Sequence, residues 1–174
     1  LNTRACYPSG KRAAETLCVS YYQQHNIETV IVRPGHIYGP TATPMDSRAT
    51  AQFVRDVLAG KDILMKSAGS QLRSYCYCMD CATAILFVLL KGKPTEAYNI
   101  SNRDSIVSIR QIAEEIAKAS GKKVVFEEAS ESEKKGYNMM DNSSLTSDKL
   151  EGLGWKASYS LEDGVKSTID IMKG

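Results

Sequence analysis

Apolar positions along the chain change period several times, and each change predicts an element. Over residues 9–24, Ala13, Ala14, Leu17, Cys18, Tyr21 and Tyr22 recur three and four apart, which predicts a helix capped by Ser9 and ended at His25-Asn26. The β-branched run over 29–32 predicts a buried strand stopped by Arg33-Pro34-Gly35. A loop carrying Gly39-Pro40 and Pro44 comes after it, then a helix over 49–58 closed by Gly60. Residues 63–65 and 74–78 are expected as strands, with Asp80 capping a helix that runs to about Leu90. A strand at 97–100, an amphipathic helix over 108–120 ended by Gly121, and a strand at 123–127 come next. The polar stretch 129–137 is expected as a loop and 161–172 as the last helix. Helices and strands alternating through short connections predict an α/β fold.

Composition narrows the class. At 174 residues there is room for one ordinary domain, or a small domain plus part of another. A chain 43% hydrophobic and 24% charged is that of a globular protein able to bury a core. The net charge of +2, from 22 basic and 20 acidic side chains, gives no reason to expect nucleic acid or an anionic membrane as a partner. The longest apolar run, 82–90, is far shorter than the roughly 20 residues of a membrane span. No signal peptide is visible, and a chain opening on Leu1 is expected to continue upstream. Cys6, Cys18, Cys76, Cys78 and Cys81 are odd in number and unevenly spread, which predicts reduced thiols and a cytoplasmic location. The cluster C-Y-C-M-D-C raises a thiol-ligated metal as one reading, but a closed zinc site needs about four ligands and only His25 and His36 accompany the cysteines. No metal is assigned.

The first candidate chemistry is Tyr7-Pro8-Ser9-Gly10-Lys11. A spacing of four puts phenol and ammonium on one face if the helix begins there. A nearby cation favours phenolate over phenol, which suits Tyr7 to act as a general base; the alternative is a solvated surface pair. A series of longer blocks is more specific: Y-P-S-G-K-R-A-A-E-T-L, a strand ending R-P-G-H-I-Y-G-P, then G-S-Q-L-R-S-Y-C-Y-C-M-D-C-A, Y-N-I-S before an amphipathic helix, and K-L-E-G-L-G-W with S-L-E-D-G-V. In order and spacing these blocks resemble the extended short-chain dehydrogenases/reductases. The likeness is to their nucleotide-sugar branch of UDP-galactose 4-epimerases, dTDP-glucose 4,6-dehydratases and UDP-glucuronate decarboxylases.

The resemblance implies the C-terminal part of a Rossmann-like NAD(P)-binding fold plus a small α/β substrate-binding lobe. Residues 1–40 would end the dinucleotide-binding domain, and 41–174 would be mainly the lobe, with some segments returning to the Rossmann sheet. It further implies NAD as cofactor, a nucleotide-sugar substrate and a homodimer in the full-length protein. Tyr7 would take the proton from the sugar 4-hydroxyl while its hydride passes to NAD⁺, giving a 4-keto sugar open to epimerisation, dehydration or decarboxylation. Lys11 would hold the nicotinamide ribose, and Pro34 would lie against the nicotinamide. Arg73, matching the family's R-D-Y-I-H-V-x-D, would pair with the substrate diphosphate, which suits a planar, permanently charged guanidinium. The alternative for Arg73 is an exposed charge at a strand end. Met45-Asp46-Ser47-Arg48 resembles the decarboxylase group and places Arg48 among the substrate contacts. Lys134 or Lys135, before Gly136, matches loosely a basic residue of the family.

The chain also departs from the family. Ser9 stands where the decarboxylases usually carry Glu, and His36 where a substrate-binding Asn is frequent, so His36 either contacts substrate or fills a turn. The Gly-rich dinucleotide turn and the Ser or Thr that precedes the catalytic Tyr are expected upstream of Leu1. Gly152-Leu153-Gly154-Trp155-Lys156-Ala157 satisfies G-x-G-x-x-A but comes after a helix, carries a Trp in the turn and leaves too little chain for a βαβ unit. The resemblance makes it the C-terminal L-G-W segment, in which Trp155 would pack a core. The alternative function is a catalytically inactive sugar-nucleotide-binding protein of the same fold.

Overall fold

The computed structural model describes residues 5–40, 43–127 and 140–174. The first helix, α1 (Cys6–His25), begins three residues earlier than the periodicity indicated. Ala5 precedes it without any side-chain cap, so Ser9 is not the cap. Pro8 is tolerated because first-turn N–H groups have no intrahelical partner to lose. Asn26 ends the helix with φ 54°, its N–H reaching the Tyr22 carbonyl.

Strand β1 (Ile31–Pro34) pairs in parallel with β5 (Ala97–Ile100), from Ile31 opposite Ala97 to Pro34 opposite Ile100. That pairing moves the strand two residues beyond the β-branched run. The expected loop then opens with another strand, β2 (His36–Tyr38), parallel to β4 (Leu72–Tyr77). β4 also pairs antiparallel with β6 (Ile106–Ser108) and in parallel with β8 (Asn142–Ser143). β3 (Ile63–Met65) pairs with β7 (Val124–Phe126). The helices are α2 (Ala49–Leu58), α3 (Cys78–Lys91), α4 (Ile109–Ser120), the short α5 (Asp148–Glu151) and α6 (Leu161–Lys173). α4 begins in a reciprocal box, Ser108 Oγ accepting from the Gln111 N–H and Gln111 returning the bond, and ends at Gly121 with φ 68°.

β4 separates two cores because its side chains alternate. Tyr75 faces one, with Phe53, Val57, Ile63, Met65, Ile112, Ile116, Val165 and Ile169 from α2, β3, α4 and α6. Cys76 faces the other, with Cys81, Ala84 and Val88 of α3, Tyr98 and Ile100 of β5, Leu150 and Trp155. Trp155 is buried there, its indole N–H donating to Thr83 Oγ1 at 3.3 Å, as expected for a core residue.

Asp80 corrects the sequence reading. α3 already starts at Cys78, so Asp80 lies in its first turn rather than at its cap. It is 2% exposed, and its two carboxylate oxygens accept the N–H groups of Ser158 and Tyr159 at 2.9 and 3.1 Å. It thereby fixes the segment that leads into α6. Among the described residues no helix is long and apolar enough to cross a membrane.

Candidate functional site

Tyr7 and Lys11 lie one turn apart on α1, with the Lys11 ammonium 5.5 Å from the centroid of the Tyr7 ring. Glu15 continues the same stripe. Its carboxylate accepts two 2.7 Å bonds from the Arg33 guanidinium, which hold that carboxyl below its ordinary range. Thr29 Oγ1 also donates to the Cys18 carbonyl at 2.9 Å. These bonds direct the Tyr7–Lys11–Glu15 stripe toward the C-terminal end of β1, where Pro34 is exposed. The Tyr7 ring is 73% exposed and open to a ligand. The C-terminal edge of parallel strands is also where open α/β sheets place their ligands.

A second group forms on the Tyr75 face of β4. Arg73 is only 4% exposed, so the reading of it as a solvated strand-end charge fails. Among the described residues its guanidinium makes one hydrogen bond, to the Leu72 carbonyl at 2.7 Å. A buried guanidinium without a carboxylate is costly unless an anion accompanies it. His36 is opposite Tyr75 across β2–β4, their rings 5.8 Å apart. Burial first, then the fields of Arg73 and Arg48, push the His36 imidazole below its ordinary pKa. His36 is therefore part of a strand beside Arg73, not a residue of a turn. Its Nδ1 and the Ser143 Oγ are the two buried side-chain polar atoms without a hydrogen-bond partner among the described residues.

Arg48 lies beside the same strand, next to His36, but is held by its own partners. It grips Asp46 through its guanidinium and donates to the Ile37 carbonyl at 2.9 Å, and these bonds lower the Asp46 carboxyl to about 2. It borders a cavity of about 60 Å³ between β2, α2, α4 and α6, which none of Tyr7, Lys11, Pro34, His36 or Arg73 lines. Lys134 and Lys135 lie outside the described residues. The cysteine cluster is split between environments, Cys76 and Cys81 buried and Cys78 half-buried. Burial is the largest cause of the rise in each thiol's pKa, taking Cys76 to about 12. Among the described residues no three His, Cys, Asp or Glu side chains are grouped to hold a metal ion. Sequence reasoning missed Ser143, because a two-residue polar strand has no periodicity to find.

The chain is similar to known proteins over most of its length. Residues 1–101 match the NAD dependent epimerase/dehydratase family. The human dTDP-D-glucose 4,6-dehydratase is 32% identical over 172 residues, covering 94% of this chain and 47% of that protein. UDP-glucuronic acid decarboxylase 3 of Arabidopsis thaliana is 37% identical over 102 residues, 59% of this chain and 30% of the relative. Among solved structures, the Thermus thermophilus UDP-glucose 4-epimerase in complex with NAD superposes with a TM-score of 0.82. The match covers 97% of this chain and 54% of that one at 25% identity. The dTDP-glucose 4,6-dehydratase of Bacillus anthracis, in complex with NAD, reaches 0.78 over 95% and 51% at 22% identity, a likeness of fold. The chain spans about half the length of the dTDP-D-glucose 4,6-dehydratases it matches. The fold is thus the expected α/β, Rossmann-like one, and the chain belongs to the NAD dependent epimerase/dehydratase family.

Proposed function

We propose that the protein containing this chain is an NAD-dependent enzyme that modifies a UDP- or dTDP-linked sugar through a 4-keto intermediate. The observation that carries the reading is the Tyr7–Lys11 pair, one helical turn apart and exposed, on the helix face that Glu15 ties to Arg33 of β1. NAD, when bound, supplies the hydride acceptor and donor. The donor set present suits it: Lys11 offers an ammonium to the ribose hydroxyls, and exposed Pro34 an apolar surface to the nicotinamide. Tyr7 takes the proton from the sugar hydroxyl being oxidised and returns it on reduction. Lys11 favours the charged phenolate in that exchange. Arg73 holds the substrate diphosphate, supported by its burial without a carboxylate partner among the described residues. Arg48 and Lys134 are assigned to the substrate side on the resemblance alone. Residues 1–40 close the dinucleotide-binding domain, and 41–174 form mainly the substrate lobe. Among the named relatives, the decarboxylases and their UDP-glucuronate substrate fit the Met45–Arg48 segment.

The same reading makes the full-length protein a cytoplasmic homodimer. All five cysteines are free, and α1 buries none of its residues against the rest of the chain, leaving Leu17 and Tyr21 exposed. The test uses the full-length protein. Tyr7→Phe is expected to abolish conversion of UDP- and dTDP-sugars while NAD binding stays near wild type. Unchanged turnover would refute the assignment. Binding of NAD and sugar nucleotide with no turnover in the wild type would instead favour the inactive binding protein suggested by Ser9 and His36.

A further inference from the structure

The three clustered cysteines take no part in the proposed chemistry, and the fold gives them unequal positions. Cys78 is the first residue of α3 and Cys81 lies one turn further on, so Cys78-Met79-Asp80-Cys81 places a C-x-x-C at the start of a 14-residue helix. Cys78 is half-buried, whereas Cys81 is 7% exposed and belongs to the core that holds Ala84 and Trp155. Cys76, on β4, is buried and donates its S–H to the Tyr77 carbonyl at 3.7 Å. One thiol is open to an incoming molecule, and a second stands one turn behind it.

Residues three apart on a helix have Cβ atoms about 5–6 Å from one another. A disulfide needs them at about 3.5–4.5 Å, so closure tightens the first turn by about 1–2 Å. That turn can give, because its N–H groups have no intrahelical partner to lose and Tyr77 precedes it without a side-chain cap. Cys81 is held by the core, so the sulfur that moves is that of Cys78. In the reduced protein this sulfur packs on bare backbone: a Cβ added to Gly39 would collide with Cys78 Sγ and lie 2.9 Å from Cys78 Cβ. Gly39 directly succeeds β2, the strand that carries His36. Drawing Cys78 toward Cys81 takes away that contact at the end of β2.

We propose that Cys78 and Cys81 form a reversible thiol–disulfide modification site: Cys78 exchanges with a small-molecule disulfide, Cys81 resolves the adduct, and the closed ring loosens the end of β2. In the first step the Cys78 thiolate attacks one sulfur of the incoming disulfide. The other sulfur leaves as a thiolate and takes up the proton that Cys78 lost. In the second step the Cys81 thiolate attacks the Cys78 sulfur, expelling the remaining small thiolate, which takes up the Cys81 proton. The protein dithiol is oxidised by two electrons and the small disulfide is reduced to two thiols; excess thiol reverses both steps. Burial is the largest influence on the Cys78 thiol and raises its pKa, with the Met79 N–H and the Tyr77 hydroxyl offsetting only part. Exchange at neutral pH is therefore slow, and the nearness of the second thiol, not an acidic first one, closes the ring. The site does not depend on the nucleotide-sugar reading; its effect on turnover does.

The test equilibrates the full-length protein with glutathione and glutathione disulfide, alkylates the remaining thiols, and reads the tryptic peptide 74–91 by mass spectrometry. In the wild type, Cys76 is expected to be alkylated while Cys78 and Cys81 are joined with the loss of two hydrogens. Cys81→Ala should stop with one glutathione on Cys78, and Cys78→Ser should leave Cys81 alkylated. Phenylarsine oxide, which joins two neighbouring thiols with release of water, should protect Cys78 and Cys81 of the wild type together, a measure that needs no variant. A wild-type Cys78 that stays a mixed disulfide, a bond to Cys76, or glutathione on Cys81 in the Cys78→Ser protein overturns the proposal. Turnover of UDP- or dTDP-sugars is expected to fall by about tenfold or more on ring closure, to return with dithiothreitol, and to resist the oxidant in Cys78→Ser. Full turnover with the ring closed overturns the coupling to β2. A reduced protein that closes the ring on oxidation but turns over no sugar nucleotide keeps the site and refutes the nucleotide-sugar reading.

Discussion

Removal of the Asp80 carboxylate tests how the C-terminal segment is held. Each of its two bonds, to the Ser158 and Tyr159 N–H groups, joins a backbone donor to a charged acceptor. Such bonds contribute about 1.5–3 kcal/mol apiece when their partners are kept from water. Ser158 is exposed, so water replaces part of one bond in the variant. The negative charge in the first turn of α3 adds about 0.3–1 kcal/mol through the helix dipole. Asp80→Ala is therefore expected to destabilise the fold by about 3–4 kcal/mol. Asp80→Asn keeps one acceptor oxygen and should cost about half of that. Urea unfolding at pH 7, monitored by the fluorescence of Trp155, measures both, since this single Trp is buried when folded and exposed when unfolded. With a slope of about 2 kcal/mol per molar urea, the alanine midpoint should fall by about 1.5–2 M. An alanine variant within about 1 kcal/mol of wild type would refute the reasoning. Asparagine as costly as alanine would mean that charge, rather than hydrogen bonding, holds the segment.

Two further outcomes are expected. A Cβ on Gly164 of α6 would collide with the Tyr38 hydroxyl, so Gly164→Ala should cost about 1–3 kcal/mol in urea unfolding. Tyr38→Phe loses only a long 3.4 Å bond to the Leu161 carbonyl, and in the double variant it should recover part of the Gly164→Ala loss, giving clear non-additivity. His36 supplies the pH dependence: its folded pKa lies below the ordinary 6.5, so the unfolded chain binds the proton first as pH falls. Its stabilisation is fully present above about pH 6.5 and is lost as pH drops through the folded value, and His36→Asn should flatten the stability profile below pH 6.5.

How far each element could be read from sequence depends on the reach of the interactions that set it. α2 and β5 were legible to the residue, because local periodicity and flanking breakers determine them. α4 was legible to within one residue, its box being written into Ser108 and Gln111. β1 was displaced because its ends are set by pairing with Ala97–Ile100, more than sixty residues away. β2, β6 and β8 have three residues or fewer and arise only from the edges that β4 offers. The spacing of Tyr7 and Lys11 was readable as a helical turn, yet its direction depends on Glu15 meeting Arg33. Likewise a motif named Arg73 and could not give its burial, and Asp80 resembled a cap until its acceptors met a segment 78 residues on.

The residues assigned to cofactor and to substrate are joined through one glycine. Pro34 closes β1 against Ile100 of β5, and two residues later His36 opens β2 against Tyr75 of β4. Gly35 makes the change of partner, its N–H still bonded to the Ile100 carbonyl at 2.9 Å. A Cβ there would lie 3.1 Å from the Ser74 carbonyl oxygen and 3.4 Å from that of Ile100, so a side chain fits only if the neighbouring backbone shifts by a few tenths of an ångström. Ser74 directly succeeds Arg73, and its hydroxyl fixes Leu145 and with it the strand of Ser143. The Tyr7 stripe is tied to Arg33 on one side of this glycine, and Arg73 precedes Ser74 on the other. If the proposed roles of Tyr7 and Arg73 hold, the tight packing at Gly35 bears on their relative placement, because misplacement by about 1 Å can cost two orders of magnitude in rate.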